Sequence, residues 1–237
     1  MISCVLFDLD NTLLLKKPSL PEKVFEVVSA VHPEVSMETV EHAYAASELW
    51  QGRQIQKENE TGVRASDEEY FAGVLSAYRR FLPLDDSLSE QLFSVFSRNY
   101  EMEYQLMPHV KETLDYLKRK GLRLGVVSNN RPQIKQTLID FGLTPYFESI
   151  VISEEVGLYK PDPQILELAC QEMNVPCSDS MYVGDHPFDV LCAHSAQMPA
   201  VWFPPNRFFE LPEEIDPPEH VIHDLEELRS IFSYFPS

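Results

Sequence analysis

The stretch SCVLFDLDNT, residues 3–12, places an apolar run directly before two acids. Its Val, Leu and Phe side chains are typical of a buried strand, and the run ends abruptly at Asp8 and Asp10. The pattern predicts a strand over residues 3–9 that is covered on both faces and has a polar carboxyl end. Because binding sites in open α/β sheets form at such ends, Asp8 and Asp10 are candidates for chemistry.

After Pro108 the sequence alternates between helical and strand patterns. Further strands are predicted at 122–127, 147–153, 181–183 and 200–203, with a last short one near His220. Helices are predicted at 109–120, 132–141, after Asp162 as N-cap, at 188–196 and before Ile231. This alternation predicts an α/β fold with a doubly wound, Rossmann-like parallel sheet between two layers of helices.

Between the first strand and Pro108 the sequence is helical only. Helices are predicted at 21–32 and 36–58, and two more after the capping boxes Ser66 with Glu69 and Ser87 with Glu90. A four-helix domain therefore interrupts the α/β domain. We expect an α/β core of residues 1–15 and 105–237, and an inserted helical domain of residues 16–104.

The composition limits the possible partners. Of 237 residues 38 are acidic and 19 basic, which gives a formal charge of -19, and 44% are hydrophobic, as in folded globular proteins. Such a charge disfavours nucleic-acid polymers and anionic membrane surfaces. No apolar run approaches the roughly 18 residues of a membrane span, and the N-terminus has no basic leader. We expect a cytoplasmic protein that meets its ligand at a local site.

The predicted carboxyl ends of four strands carry residue types that phosphoryl transfer needs. They are Asp8 and Asp10 after the first strand, Ser128 and Asn129 after the second, Lys160 after the third, and Asp185 and Asp189 after the fourth. A phosphate monoester is a dianion, and each pair of unit charges at about 4 Å repels by roughly 4 kcal/mol at an effective dielectric near 20. A carboxylate nucleophile in this set therefore needs a cation beside it.

The same residues fall into four motifs. The segments DLDNTL at 8–13, VSNN at 127–130, KPDP at 160–163 and GDHPFD at 184–189 follow one another in this order. In motif order and spacing the chain resembles the haloacid dehalogenase superfamily of hydrolases, in its phosphatase branch. The resemblance implies a Mg²⁺-dependent phosphatase that works through an aspartyl-phosphate, and it implies that the inserted four-helix domain is the family's helical cap of the first type.

We assign Asp8 as the nucleophile and Asp10 as general acid, then general base. Asp8 and Asp185 are the expected carboxylate ligands of Mg²⁺, and the resemblance adds the backbone carbonyl of Asp10. Lys160 brings a second positive charge to the phosphoryl oxygens. Dehalogenases of the family lack the second acid, so Asp10 favours a phosphatase.

The remaining site residues have supporting roles. The Ser128 hydroxyl and the backbone amides of Leu9, Asp10 and Asn129 are expected to orient the phosphoryl oxygens. Asp189, in the first turn of a predicted helix, holds either a metal-bound water or Lys160.

The expected substrate is a small phosphorylated metabolite, for example a nucleotide, a sugar phosphate or phosphoglycolate. Two alternatives stay open from the sequence. One is a phosphomutase similar to β-phosphoglucomutase, which uses the same scaffold, and the other is a non-catalytic binding protein. The intact set of nucleophile, acid and metal ligands argues against the latter.

Overall fold

The computed structural model describes residues 2–98 and 103–233. The strands are β1 (Cys4–Phe7), β2 (Leu14–Lys17), β3 (Glu103–Leu106), β4 (Arg123–Ser128), β5 (Ser149–Ile152), β6 (Ser180–Gly184), β7 (Ala200–Trp202) and β8 (His220–Val221). The helices are α1 (Leu20–Val31), α2 (Met37–Thr61), α3 (Asp67–Tyr78), α4 (Asp86–Ser97), α5 (Val110–Arg119), α6 (Ile134–Asp140), α7 (Ser153–Val156), α8 (Gln164–Met173), α9 (Pro187–Ser195) and α10 (Leu228–Ile231).

Six strands form one parallel sheet in the order β5-β4-β1-β6-β7-β8. All residues of β1 are buried, and Leu6 lies opposite both Gly125 and Tyr182 on the neighbouring strands. From β1 the chain adds strands first on one side and then on the other. The carboxyl ends of β4, β1 and β6 therefore meet where the strand order reverses, which is where such sheets bind ligands. The predicted doubly wound α/β fold is confirmed.

The chain divides into two compact units. The core unit comprises Met1–Leu15, Leu106–Pro205 and Leu211–Ser237, and the helical unit comprises Lys16–Gln105 and Asn206–Glu210. The helical unit contains α1 to α4, and the parallel sheet with α5 to α10 lies in the core unit.

One short segment groups differently from the sequence-based assignment. Residues 206–210 belong to the helical unit, as does the boundary residue Gln105, although we assigned them to the core from the sequence. Phe208 stacks on His42 with ring centroids 5.0 Å apart, and Phe209 meets the ring of Tyr44 edge-on at 5.8 Å. These aromatic contacts are the physical reason for the grouping, because they bind the segment to α2.

The helix starts differ in detail from the sequence patterns. The capping box predicted at Ser87 is wrong, because α4 begins two residues earlier, where the carboxylate of Asp85 accepts from the amide of Leu88 at 2.8 Å. The earlier start adds a helical bond from the Ser89 amide to the Asp85 carbonyl. Asp162 lies one residue before the N-cap of α8, and its side chain accepts from the Gln164 amide at 3.0 Å.

The small sheet of β2 and β3 was not expected, since its four-residue strands are far apart in sequence. The longest described helix, α2, has 25 residues and is capped at its C-terminus by Gly62, whose φ of 69° suits glycine. Within residues 2–98 and 103–233, no helix combines the length and the apolar character that crossing a membrane requires.

Candidate active site

The sheet places two predicted acids at neighbouring strand ends. Asp8 directly follows β1, and its amide donates to the carbonyl of Val183 on β6 at 2.9 Å. Asp185 directly follows β6. Both side chains are buried, with 5% of Asp8 and 8% of Asp185 exposed. The register between β1 and β6 therefore holds the two carboxylates side by side, shielded from water.

A third carboxylate and one cation complete a buried cluster. Oxygens of Asp8, Asp185 and Asp189 all lie within 4.8 Å of one another. The Nζ atom of Lys160 lies 2.7 Å from Oδ1 of Asp8 and 2.8 Å from Oδ1 of Asp189. With three carboxylates against one ammonium, the cluster has a formal excess of two negative charges. A hard divalent cation fits this donor set, because such ions prefer carboxylate oxygens and would balance the excess.

The loop between β6 and α9 holds Asp189 in place. Its Oδ2 accepts from the amide of His186 at 3.1 Å, and Nδ1 of His186 accepts from the amide of Phe188 at 3.1 Å. A Cβ atom on Gly184 would lie only 2.3 Å from Oδ2 of Asp189. Glycine at position 184 therefore allows the third carboxylate to approach the sheet edge.

Asp10 lies outside the three-carboxylate cluster and is oriented by an asparagine. Nδ2 of Asn130 donates to Oδ2 of Asp10 at 3.0 Å, and Nδ2 of Asn11 donates to Oδ2 of Asp185 at 3.1 Å. Asn11 has a φ of 54°, a conformation that asparagine adopts more readily than most residues. We missed the orienting roles of both asparagines from the sequence. The sequence feature that could have indicated these roles is an asparagine in each of two strand-end motifs, Asn11 in DLDNTL and Asn130 in VSNN.

Asn129 holds the backbone of Lys160 through two hydrogen bonds. Its Oδ1 accepts from the Lys160 amide at 2.8 Å, and its Nδ2 donates to the Lys160 carbonyl at 2.9 Å. This pairing fixes the loop before α8 to the end of β4. Ser128 is the last residue of β4 and is buried, as is Leu9 after β1. The phosphate-orienting roles of Ser128, Leu9 and Asn129 stay predictions.

Burial and charge shift the pKa values of the cluster. Burial, with Asp189 nearby, raises the pKa of Asp8 to about 6, although Lys160 opposes this shift. Burial, with the charge of Asp8, raises the pKa of Asp185 well above its usual range. Burial opposes the charge of Lys160, but Asp189 and Asp8 outweigh it and raise the pKa of its ammonium. Without a bound cation, burial therefore disfavours the ionised forms of Asp8 and Asp185, while the nearby carboxylates favour the charged form of Lys160.

Comparison with known proteins gives a consistent result. Residues 2–197 match the family model described as a haloacid dehalogenase-like hydrolase. A phosphoglycolate phosphatase of Pseudomonas putida is 27% identical over 229 residues, which span 94% of this chain and 77% of that protein. A ribulose-1,5-bisphosphate 5-phosphatase of Halopiger xanaduensis is 27% identical over 243 residues, which span 98% of this chain and 100% of that protein.

Solved structures of a phosphatase and of a dehalogenase share the fold to a similar extent. A HAD phosphatase from Thermococcus onnurineus has a TM-score of 0.58 at 25% identity, with 98% of each chain covered. A 2-haloacid dehalogenase from Pseudomonas syringae has a TM-score of 0.57 at 25% identity, with 100% of each chain covered. Since the two TM-scores differ by only 0.01, fold similarity does not separate the two activities, and the site residues must distinguish them.

The raised carboxyl pKa values predict how stability without metal depends on pH. A carboxyl whose pKa is higher in the folded chain stabilises it when protonated, and this stability is lost as pH rises through the folded pKa. In EDTA, the free energy of unfolding from urea titrations should therefore fall as pH rises through about 6, the pKa of Asp8 in the folded chain. The substitution Asp185→Asn removes one titrating group and should reduce this fall. An equal fall in the variant would contradict the assignment of the shift to this cluster.

Proposed function

The chain belongs to the haloacid dehalogenase-like hydrolases, and from that premise we propose that it is a phosphatase of small phosphorylated metabolites with Asp8 as nucleophile. The observation that supports this most is the buried carboxylate cluster around Lys160. Asp8 is held there by a lysine and lies beside two further acids. The second acid of the first motif, Asp10, favours phosphoryl transfer over dehalogenation, because a leaving alkoxide needs a proton.

In the first half of the proposed reaction, a carboxylate oxygen of Asp8 bonds to phosphorus while the bond from phosphorus to the leaving oxygen breaks. Asp10 gives its proton to that oxygen. In the second half Asp10 takes a proton from water as the water oxygen bonds to phosphorus. The bond to Asp8 then breaks, and inorganic phosphate leaves.

The surrounding side chains stabilise the charge that develops. The ammonium of Lys160, 2.7 Å from Asp8, lies where it can face the transferring group. The hydrogen bond from Asn130 to Asp10 limits rotation of the acid that must serve two steps. Ser128 with the amides of Leu9 and Asn129 would donate hydrogen bonds to the phosphoryl oxygens.

The proposed cofactor is Mg²⁺. Asp8 and Asp185 would hold it, with the backbone carbonyl of Asp10, and Asp189 would support the site through its contact with Lys160. When bound, the ion supplies the positive charge that lets a carboxylate approach a phosphate dianion. This assignment agrees with the excess of two negative charges in the cluster.

The names of the relatives support a small phosphorylated substrate. Phosphoglycolate and ribulose bisphosphate are small anionic metabolites, and the relatives named for them align with most of this chain. We propose a substrate of this class. The use of the helical unit as a cap and the cytoplasmic location stay predictions from the sequence.

A panel of phosphomonoesters tests the activity. With Mg²⁺ present, we expect release of inorganic phosphate from p-nitrophenyl phosphate and faster release from one of 2-phosphoglycolate, ribulose 1,5-bisphosphate, phosphoserine, sugar phosphates and nucleoside monophosphates. An isomeric sugar phosphate without free phosphate would instead indicate a phosphomutase. Halide release from a 2-haloacid would indicate a dehalogenase, and no turnover of any compound would indicate a binding protein.

The substitution Asp8→Asn tests the nucleophile. It changes the volume little but removes the attacking oxygen anion, so kcat should fall by a factor of about 10³ or more, with the circular dichroism spectrum unchanged. The matched control is Asp216→Asn, which makes the same change at an exposed acid and should leave kcat at the wild-type value. Activity of Asp8→Asn within about tenfold of wild type would contradict the mechanism.

Metal binding is tested by thermal unfolding. A ligand that binds only the folded state raises stability by about 2.7 kcal/mol at a concentration of 100 times its Kd. Titration of Mg²⁺ into EDTA-treated protein should therefore raise Tm and restore phosphatase activity over the same concentration range. Asp185→Asn should move both curves to higher Mg²⁺, and Asp216→Asn should move neither. Full activity in EDTA would contradict the metal assignment.

A further inference from the structure

The ammonium of Lys160 has an acceptor for each of its three protons. Asp8 Oδ1 accepts at 2.7 Å and Asp189 Oδ1 at 2.8 Å, and the hydroxyl oxygen of Tyr182 accepts at 2.8 Å. Two of these acceptors are carboxylates with proposed roles, Asp8 as nucleophile and metal ligand and Asp189 as a supporting residue of the site. The third is a neutral phenol, which has no assigned role in the proposed reaction.

The side chain of Tyr182 reaches across a strand to make this contact. Tyr182 lies on β6 opposite Leu6 of β1, and its hydroxyl donates to the carbonyl of Val127 on β4 at 2.8 Å. Because neighbouring strands lie about 4.8 Å apart, β6 and β4 are separated by roughly 10 Å, which requires a long side chain. Only 1% of Tyr182 is exposed. The Tyr182 hydroxyl is therefore shielded from water and hydrogen-bonded both to Val127 on β4 and to Lys160.

The direction of each hydrogen bond follows from the partners. The Val127 carbonyl has no proton, so the Tyr182 hydroxyl must donate to it, and this turns the lone pairs of the phenol oxygen toward Lys160. Burial raises the pKa of Tyr182 well above its usual range, although Lys160 opposes this, so the phenol keeps its proton.

We propose that Tyr182 is a positioning residue for phosphoryl transfer: its hydroxyl holds the ammonium of Lys160 at the point where it contacts both Asp8 and Asp189. The inference rests on the proposed function. An ammonium held by two carboxylates alone is free to turn toward either of them, whereas the neutral third acceptor fixes its direction without adding negative charge. Lys160 is thereby kept ready to face the phosphoryl group.

The substitution Tyr182→Phe removes one oxygen atom and with it the hydrogen bonds to Lys160 and to the Val127 carbonyl. The phenyl ring stays beside the ammonium, whose Nζ lies 5.2 Å from the ring centroid. With p-nitrophenyl phosphate and saturating Mg²⁺, we expect kcat to fall about tenfold and KM to stay within about twofold, as for the loss of one hydrogen bond to a charged catalytic group. The matched control is Tyr78→Phe in α3, which removes an equally buried hydroxyl and should change neither constant.

A double-mutant cycle separates positioning from general packing. In the backgrounds Lys160→Met and Lys160→Ala, adding Tyr182→Phe should change kcat by less than about twofold, because no cationic donor remains to be positioned. Urea unfolding in EDTA supplies a second readout that does not depend on activity. There, Tyr182→Phe should destabilise the wild-type background more than the Lys160→Met background, or the Lys160→Ala background if the methionine variant does not fold.

Three results would overturn the inference: wild-type kinetics in Tyr182→Phe, a tenfold loss that persists in both Lys160 backgrounds, or additive unfolding energies. Wild-type protein without phosphate release would contradict the proposed function and with it the role of Tyr182 in positioning Lys160 for phosphoryl transfer. In that case the urea cycle still decides whether the Tyr182 contact depends on Lys160, so the two failures are distinguishable.

Discussion

The buried ammonium of Lys160 connects the loops that form the site. The ammonium contacts Asp8 after β1 and Asp189 in α9. The side chain of Asn129, which follows β4, hydrogen-bonds to the backbone of Lys160. A buried charge is destabilising unless it is paired and hydrogen-bonded. The buried ammonium of Lys160 and the buried carboxylates therefore stabilise one another. Loops that are far apart in sequence are thereby tied to one point at the carboxyl edge of the sheet. Gly184 allows this arrangement, because a side chain there would displace Asp189.

The charge of the chain and the charge of its proposed substrate are both negative, and the site explains how they are compatible. The formal charge of -19 opposes any polyanion that meets the surface. Inside the cluster, a lysine and a divalent cation would balance the charge of the three carboxylates and place two cations beside a phosphate group. The raised pKa values of Asp8 and Asp185 reflect the same imbalance, since burial makes uncompensated carboxylates unfavourable.

Much of the fold follows from local patterns, and the rest depends on contacts across the chain. The apolar run before Asp8 and the later alternation of helices and strands were enough to predict the parallel sheet and the clustering of Asp8, Asp185 and Lys160. The same reasoning failed where two signals compete, as at Asp85 and Ser87, which are both good cap residues. It also failed for Tyr182, because a tyrosine in an apolar strand is typical of a hydrophobic core. Only the strand order shows that its hydroxyl reaches past β1 to Val127 on β4.

The central claim is that Asp8 accepts the phosphoryl group, and trapping the intermediate tests it most directly. Wild-type protein with Mg²⁺ is mixed with a ³²P-labelled phosphomonoester that it turns over, quenched in acid within one turnover and digested. We predict that the label appears on the peptide containing Asp8 and that hydroxylamine removes it, as for an acyl phosphate. Label on another residue, or phosphate release with no covalent label during the first turnover, would contradict the account.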